Sequence, residues 1–457
     1  MYPHFKNLFG LCAGLYAGLG LTIGALHAAV SPEEVARLGT TLTPQGGEKA
    51  GNADGSIPAW DGGLTTPPPC YKGKGHRYCD PYADDARLFS ITAQNMAQYR
   101  DQLSAGQLAM LEKHQSYRID VYPTRRSVAV PEYVDAATKR NAAQAQLISG
   151  GEGIAGAAIG IPFPIPKSGV EPVWNHKLRY RGSGGRRWNT QIPVMPNGSY
   201  VPAKLREDAR FEYSLPDATP ESINNVAIYF LQVTMAPARL AGTIGLIHET
   251  MDQVKEARRV WAYNGGQRRL RRAPSVAYDN PGQAADGLRT NDQTDVFNGA
   301  TDRYTWKLVG KREMFVPYNA YKAHSDQLKY KDIVHRNHLN PEVLRYERHR
   351  VWVVEGEVKP TTSHLYARRV FYIDEDSWQI VLVDLYDNRG NLWRWQEAHA
   401  FQAYDTRVFS SAVETVYDLT ANRYLAMALN NEDEMTMDRD FPLSYFDPAN
   451  VIRHAQQ

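Results

Sequence analysis

The chain has 457 residues, with 52 lysines and arginines against 50 aspartates and glutamates, a net charge of +2. So even a balance supplies no chain-wide attraction to nucleic acid or to an anionic membrane surface. The length allows a large buried core, and the 27 tyrosines and nine tryptophans, concentrated after residue 170, favour β-structure.

Residues 1–29 have the form of an export signal: Lys6 provides positive charge, residues 8–26 are apolar and glycine-rich, and Ala28-Ala29 offer small residues for cleavage. A retained anchor is the rival reading, but the glycines and Thr22 favour cleavage. Leu11 stands where a lipoprotein signal needs a small residue, so Cys12 is expected to leave with the signal. The expected location is the periplasm, in solution or peripheral to the outer membrane. In an exported protein the remaining pair, Cys70 and Cys79, is expected as a disulfide closing a small polar loop, worth on the order of 2–3 kcal/mol by loop entropy.

Ser31-Pro32-Glu33-Glu34 reads as a capping box that opens a helix. Residues 40–90, rich in Gly, Pro, Asp and Thr, read as a long irregular arm. Residues 91–148 are helical in pattern: Thr92 and Ser104 are N-cap candidates, Gln107 follows Ser104 by three, and a further helix runs from Pro131-Glu132 to about Leu147. Residues 151–156 spell G-x-G-x-x-G, but they follow a helical pattern and run into a proline-rich segment. A dinucleotide loop needs a strand before it and a helix after it, so a flexible or lid-like loop is expected instead.

From about residue 173 the apolar period becomes two. VWNHKLRY, VAIYFLQVTM, RRVWAY, RYTWKLVG, RYERHRVWVVEGEV, LYARRVFYI, WQIVLVDLYD and NLWRWQEAHAFQAYD read as successive strands. Consecutive hairpins make an antiparallel meander, with turns at residues 372–378 and 387–391. The expected fold is mainly β: one domain over 30–457, divided into an irregular and helical arm (30–170) and a large antiparallel sheet (171–457).

Catalytic grammar is weak. Residues 182–185 lack the spacing of a nucleophile elbow. His248-Glu249 begins like a zinc-protease helix, but Asp252 occupies the second histidine's place. His324, His335, His338 and His349 are expected as polar surface residues and not as metal ligands. Asp374, Glu375 and Asp376 are expected as solvated turn formers. No catalytic residue, metal or cofactor is expected.

Residues 258–274, RRVWAYNGGQRRLRRAP, form a hairpin signal around Gly265-Gly266. Arg259, Trp261 and Tyr263 share one face, and Arg258, Val260 and Ala262 the other, so both faces are expected to meet something. Arg268, Arg269, Arg271 and Arg272 are a candidate docking patch for an acidic partner, against the alternative of a charged strand edge that resists aggregation. Trp378, Trp393 and Trp395 join an aromatic set from which Trp261, Tyr263, Trp306, Trp352 and Phe371 are taken as candidate ligand-binding residues.

This segment, together with Leu42-Thr43-Pro44, Glu48-Lys49-Ala50-Gly51-Asn52-Ala53-Asp54-Gly55, Ile57-Pro58-Ala59-Trp60, Pro162-Phe163-Pro164-Ile165-Pro166, Ser168-Gly169, Trp174-Asn175-His176 and Tyr372-Ile373-Asp374-Glu375-Asp376-Ser377-Trp378, resembles the bacterial "domain of unknown function 1329" family of outer-membrane lipoprotein-sorting-like proteins. Ser363 departs from its pattern, which has a basic residue before His364. The resemblance implies a lipoprotein-carrier-like half-barrel with helices plugging its concave side. It also implies transfer of cargo between membranes beside an RND-type exporter and an outer-membrane partner. The expected function is a non-enzymatic carrier of a hydrophobic, lipid-like molecule. The alternatives are a periplasmic adaptor without ligand and, behind it, a hydrolase of envelope lipids.

Overall fold

The computed structural model describes residues 30–273, 278–434 and 439–454. The expected export signal and Cys12 lie outside the described residues. Four helices matter for the site: α1 (Pro32–Ala36), α2 (Ala105–Lys113), α3 (Glu132–Gln144) and α4 (Val170–Leu178). The N-terminal strands are β1 (Phe89–Ile91), β2 (Ile119–Val121), β3 (Gln146–Ile148) and β4 (Gly153–Ala155). Then follow β5 (Gly184–Val194), β6 (Ala203–Arg210), β7 (Val226–Ala236), β8 (Ile244–Thr250), β9 (Arg259–Asn264) and β10 (Arg269–Arg272). The remainder are β11 (Tyr304–Pro317), β12 (Tyr346–Val358), β13 (Arg368–Asp374), β14 (Ile380–Tyr386), β15 (Leu392–Ala403), β16 (Val408–Asp418) and β17 (Arg423–Leu429).

All but β3 and β4 belong to one 15-stranded sheet, ordered β1-β2-β12-β13-β14-β15-β16-β17-β5-β6-β7-β8-β9-β10, with β11 also on β12. The sheet does not close into a barrel. Its pairs are antiparallel except where β2 touches β12, Val121 opposite Tyr346. Most neighbours are hairpin partners. The exceptions are β2 beside β12 and β17, which returns to β5 with Leu425 opposite Pro193 and joins the C-terminal strands to the middle of the chain.

Both faces are covered, so many strands lose the simple alternation of a half-exposed sheet. One face carries the largest apolar cluster, with α2 over Tyr372, Leu382 and Trp395. The same face holds Tyr263 and Leu246 under the C-terminal residues Phe441, Phe446 and Val451. The opposite face, called inner below, carries Phe371, Val383 and Leu385 beneath Val173 of α4 and Phe297, and Val416, Leu425 and Met427 beneath Ala285 and Leu288. The segment 278–300 is therefore a cover on the inner face.

Sequence signals hold where local chemistry decides. Ser31 and Glu34 exchange the two bonds of a capping box, as do Ser104 and Gln107. The Cys70–Cys79 disulfide is formed, and Tyr71 and Tyr78 beside it pack edge-on against Tyr404. Gly266 lies in the turn joining β9 to β10, where its N–H donates to Asn264 Oδ1 at 2.9 Å.

Other expectations are corrected. Residues 91–148 are not continuously helical: Thr92 caps no helix, and β2 and an extended stretch separate α2 from α3, which ends at Gln144. VWNHKLRY is mostly α4 and not a strand. All nine residues of α4 are buried, so no polar face remains to reveal a period of 3.6. The stretch after G-x-G-x-x-G is not an exposed lid, because Ile154, Ile159 and Phe163 pack in a core cluster with α3 and Trp174. Strands β5, β6 and β8 escaped the pattern because their inner faces carry charged or small residues such as Arg187, Glu207 and Gly245; β16 and β17 were also missed, although Val416, Leu425 and Met427 make their inner face apolar.

Helix α2 shows how tightly its face is built. The N–H groups of Ala105 and Gly106 donate to Asp384 on β14 at 3.1 and 2.8 Å, which places a carboxylate at the positive end of the helix. A Cβ on Gly106 would stand 2.0 Å from Trp395 Cδ1 and 2.7 Å from Trp395 Cβ. Gly106→Ala is expected to lower stability by about 1–3 kcal/mol through overpacking, despite alanine's higher helix propensity. Urea unfolding checks this, and an unchanged midpoint would show that Trp395 yields freely.

Candidate ligand cavity

A cavity of about 270 Å³ opens on the inner face of β5 to β9, bounded by the start of β16 and by residues of the cover segment. The alternation of three strands builds its apolar side. Ile228 and Phe230 on β7, Ile247 on β8 and Val260 on β9 point inward, while Leu231, Leu246 and Tyr263 point to the other face. Phe211 and Phe409 complete an apolar wall. Glycine at 184, 185 and 245 leaves space in the lining, and a Cβ built on Gly245 would meet nothing within 4 Å.

Set into this wall is a group of buried and half-buried ions. On neighbouring strands Arg187 lies directly opposite Glu207, with Nε at 2.6 Å from Oε2. Asn189 and Gln232 also donate to Glu207, at 2.8 and 2.7 Å. Arg179 grips Asp295 of the cover segment through both Nη atoms, at 2.8 and 2.6 Å, and Arg181 adds a contact of 2.7 Å. Burial alone would raise the Asp295 carboxyl, but the two guanidinium groups hold it well below the usual carboxylate range. Burial pushes Arg181 down to about 10. Arg258 pairs with Glu249.

Arg289 differs from these. It lines the cavity and is 5% exposed, yet no carboxylate among the described residues lies within ion-pair distance. Its Nη1 and Nη2 donate at 3.3 and 3.5 Å to the carbonyls of Thr290 and Gln283, and its Nε has no hydrogen-bond partner. Burial lowers its pKa, opposed through space by Glu207, Glu414 and Asp292.

The residues singled out in the sequence are dispersed. Trp261 borders the cavity, but it lies opposite Leu246 and its ring packs into the cluster on the other face, against His248 at a centroid distance of 4.8 Å. Tyr263 lies in the cluster on the other face. Trp306, Phe371 and Phe297 pack together with centroids 5.4 to 5.8 Å apart, and Trp352 stacks on Trp378 at 6.4 Å. Tyr263, Trp306, Trp352 and Phe371 are not in the cavity lining. Arg268, Arg269, Arg271 and Arg272 are exposed on or beside β10, the free edge of the sheet. The cavity residues Arg179, Arg187, Glu207, Phe230 and Arg289 were not foreseen. The available signal was RRWNT facing LREDAR, with Arg186-Arg187 directly opposite Asp208 and Glu207 on the neighbouring strand.

A second buried polar centre lies at the β13–β14 turn. Asp374, Glu375 and Asp376 are not solvated there but 0%, 2% and 4% exposed. His324, His338 and His349 are likewise buried, not at the surface, whereas His335 is exposed as expected. His349, Asp374 and Asp376 bring one ligand atom each within 4.8 Å of one another. Arg126, however, engages both oxygens of Asp376 at 2.7 and 2.9 Å, and Ser377 and Tyr318 donate to Asp374 Oδ2. Burial and Asp376 raise the Asp374 carboxyl. The arrangement is a hydrogen-bonded junction already occupied by protein cations.

The segments that resemble the family meet here. Trp378 Nε1 donates to the carbonyl of Gln45 at 2.8 Å. Asn175 bonds both the N–H and the carbonyl of Phe163, at 2.9 and 2.7 Å. His176 accepts at Nδ1 from the Ile380 N–H at 3.1 Å and donates from Nε2 to the Asp295 carbonyl at 2.8 Å. Burial pushes its pKa down to about 3, consistent with this neutral ring. The junction thereby ties α4, the hairpin and the cavity cover together.

Residues 90–451 match the family described as "Protein of unknown function (DUF1329)". An uncharacterized protein of Pseudomonas aeruginosa is 51% identical over 430 residues, covering 94% of each chain. Among solved structures, a DUF1329 family protein from Desulfovibrio piger is 13% identical, over 59% of this chain and 92% of that one, with a TM-score of 0.40. A putative outer membrane lipoprotein-sorting protein domain from Vibrio parahaemolyticus is 14% identical, over 62% and 98%, with a TM-score of 0.42. The family match across most of the chain and the half-identical relative together establish that this protein belongs to the DUF1329 family.

Proposed function

We propose that this protein is a non-enzymatic periplasmic carrier that holds an apolar, lipid-like molecule between the inner face of β5 to β9 and the cover segment. The observation that supports this most directly is the wall of Phe211, Ile228, Phe230, Ile247, Val260 and Phe409, whose side chains border open space. Transfer of a chain from water to such a wall gains roughly 0.8 kcal/mol per methylene, so affinity needs little polar chemistry. Of the aromatic residues proposed from sequence, Trp261 stands at the border of the cavity with its ring in the cluster on the other face, and Tyr263, Trp306, Trp352 and Phe371 would act as supports. The exposed Arg268, Arg269, Arg271 and Arg272 are the surface we assign to an acidic partner in envelope transport, such as an RND-type exporter or its outer-membrane counterpart.

The test fills the cavity. Gly245 is an inward position of β8 with free space beyond it, so Gly245→Phe should fold normally and occupy the site. Protein purified from the periplasm without detergent, then subjected to native mass spectrometry, is expected to carry or take up one apolar molecule. The variant is expected to lose at least tenfold in uptake, about 1.4 kcal/mol. Equal uptake by both forms would place binding elsewhere. No uptake by either would favour the adaptor reading, which gains support from the filled inner face of β12 to β15.

A further inference from the structure

Resting on that reading of the cavity, we infer that its ligand is an anionic amphiphile whose carboxylate or phosphate head is bound by Arg289. A buried guanidinium stays charged, and burying a charge without a partner is unfavourable. The other arginines of the cavity have carboxylate partners. Arg187 holds Glu207, Arg258 holds Glu249, Arg179 and Arg181 share Asp295, and Arg186 pairs with Asp208. Arg289 has two long contacts to backbone carbonyls and a free Nε.

The carboxylates that act on Arg289 through space are committed elsewhere or buried. Glu207 already receives three donors. Asp292 receives Arg369, His364 and Thr290. Burial and Asp295 raise the Glu414 carboxyl, which weakens it as a counterion. Arg289 thus offers a planar fork of donors in a cavity that has an apolar wall and whose other arginines are already paired. Carboxylate and phosphate oxygens match that fork in both geometry and charge. A neutral lipid would leave it unsatisfied.

The experiment is calorimetric titration of the whole exported protein with dodecanoate, dodecyl phosphate, dodecanol, acetate and inorganic phosphate, in the wild type and in Arg289→Gln and Arg289→Lys. The expected result is binding of the two charged amphiphiles tighter than dodecanol by roughly tenfold to a hundredfold. Arg289→Gln should remove that advantage and leave dodecanol unchanged, and Arg289→Lys should restore part of it. Dodecanol serves as the folding control. If Arg289→Gln does not fold, the wild-type head-group series and the lysine variant still decide.

Equal affinity for dodecanol and dodecanoate, unaffected at Arg289, overturns the anionic head and leaves the apolar carrier intact. Failure of every dodecyl probe to bind overturns both. Saturable binding of inorganic phosphate or acetate with no gain from a dodecyl tail identifies a site for a small free anion and overturns the amphiphile.

Discussion

Arg126→Ala is expected to destabilise the fold by roughly 3–5 kcal/mol, the range for removing one partner of a buried ion pair. The guanidinium and Asp376 are each almost wholly enclosed, with side-chain exposures of 2% and 3%. Arg126 also donates to the carbonyl of Glu48 at 2.8 Å and lies 3.6 Å from Glu375 Oε1. Without it, Asp374, Glu375 and Asp376 would crowd one buried turn with Lys311 and Arg350 as cations on Glu375 alone. The same change would release residues 45–60 from the hairpin, exposing Ile57 and Trp378. Equilibrium urea unfolding measures the loss, and a value below about 1 kcal/mol would mean that water or Lys311 replaces Arg126 at little cost. The double variant Arg126→Met with Asp376→Leu should be far milder than either single change, since both charges leave together.

That turn also shows what could and could not be read from the chain. DEDSW between two apolar runs is a hairpin signal, and the hairpin is there. Its acidic residues look solvated because acidic turn residues usually are. Nothing local reveals that Arg126, about 250 positions earlier, returns to cover them. The strands β7, β9, β12, β13, β14 and β15 were legible because apolar and aromatic residues dominate them. β5 and β6 were not, because Arg187 and Glu207 face inward and satisfy each other across the ladder, so burial is achieved by charge pairing and not by apolar alternation. α4 failed for the opposite reason, having no exposed face. The cavity followed the same logic. Part of its apolar wall, Ile228 and Phe230 on β7 and Val260 on β9, came from strands that were recognised, whereas its cover, 278–300, came from a segment whose sequence reads as loop. The tryptophans chosen as ligand candidates are large apolar side chains, and large apolar side chains mostly fill cores.

The cover segment has its own titration. Asp292 receives Arg369 Nη2 at 2.6 Å and contacts His364 Nε2 at 3.0 Å, all three side chains 3% exposed or less. Burial by itself would raise the Asp292 carboxyl, but Arg369 and then His364 outweigh it and hold the group down to about 2. An unfolded aspartate titrates near 3.9. A group whose folded pKa is depressed contributes stability above its unfolded value and loses it as pH falls through the folded one. Asp292 therefore contributes about 2 kcal/mol that is fully present above pH ~5 and is lost on acidification toward pH ~2. Other buried groups titrate in acid too. His176 and His324, both pushed by burial down to about 3, reduce stability as pH falls below the unfolded histidine value near 6.5. The Asp292 contribution is consequently read as a difference. The stability gap between wild type and Asp292→Asn should be widest above pH ~5 and narrow by about 2 kcal/mol by pH ~2, as the wild-type carboxyl takes up its proton. A gap that stays constant across that range would show that Asp292 holds Arg369 through geometry and not through charge. Because Asp292 and Asp295 sit in one short segment, the same acidification should loosen the cover over the cavity, giving ligand release and stability a common dependence on pH.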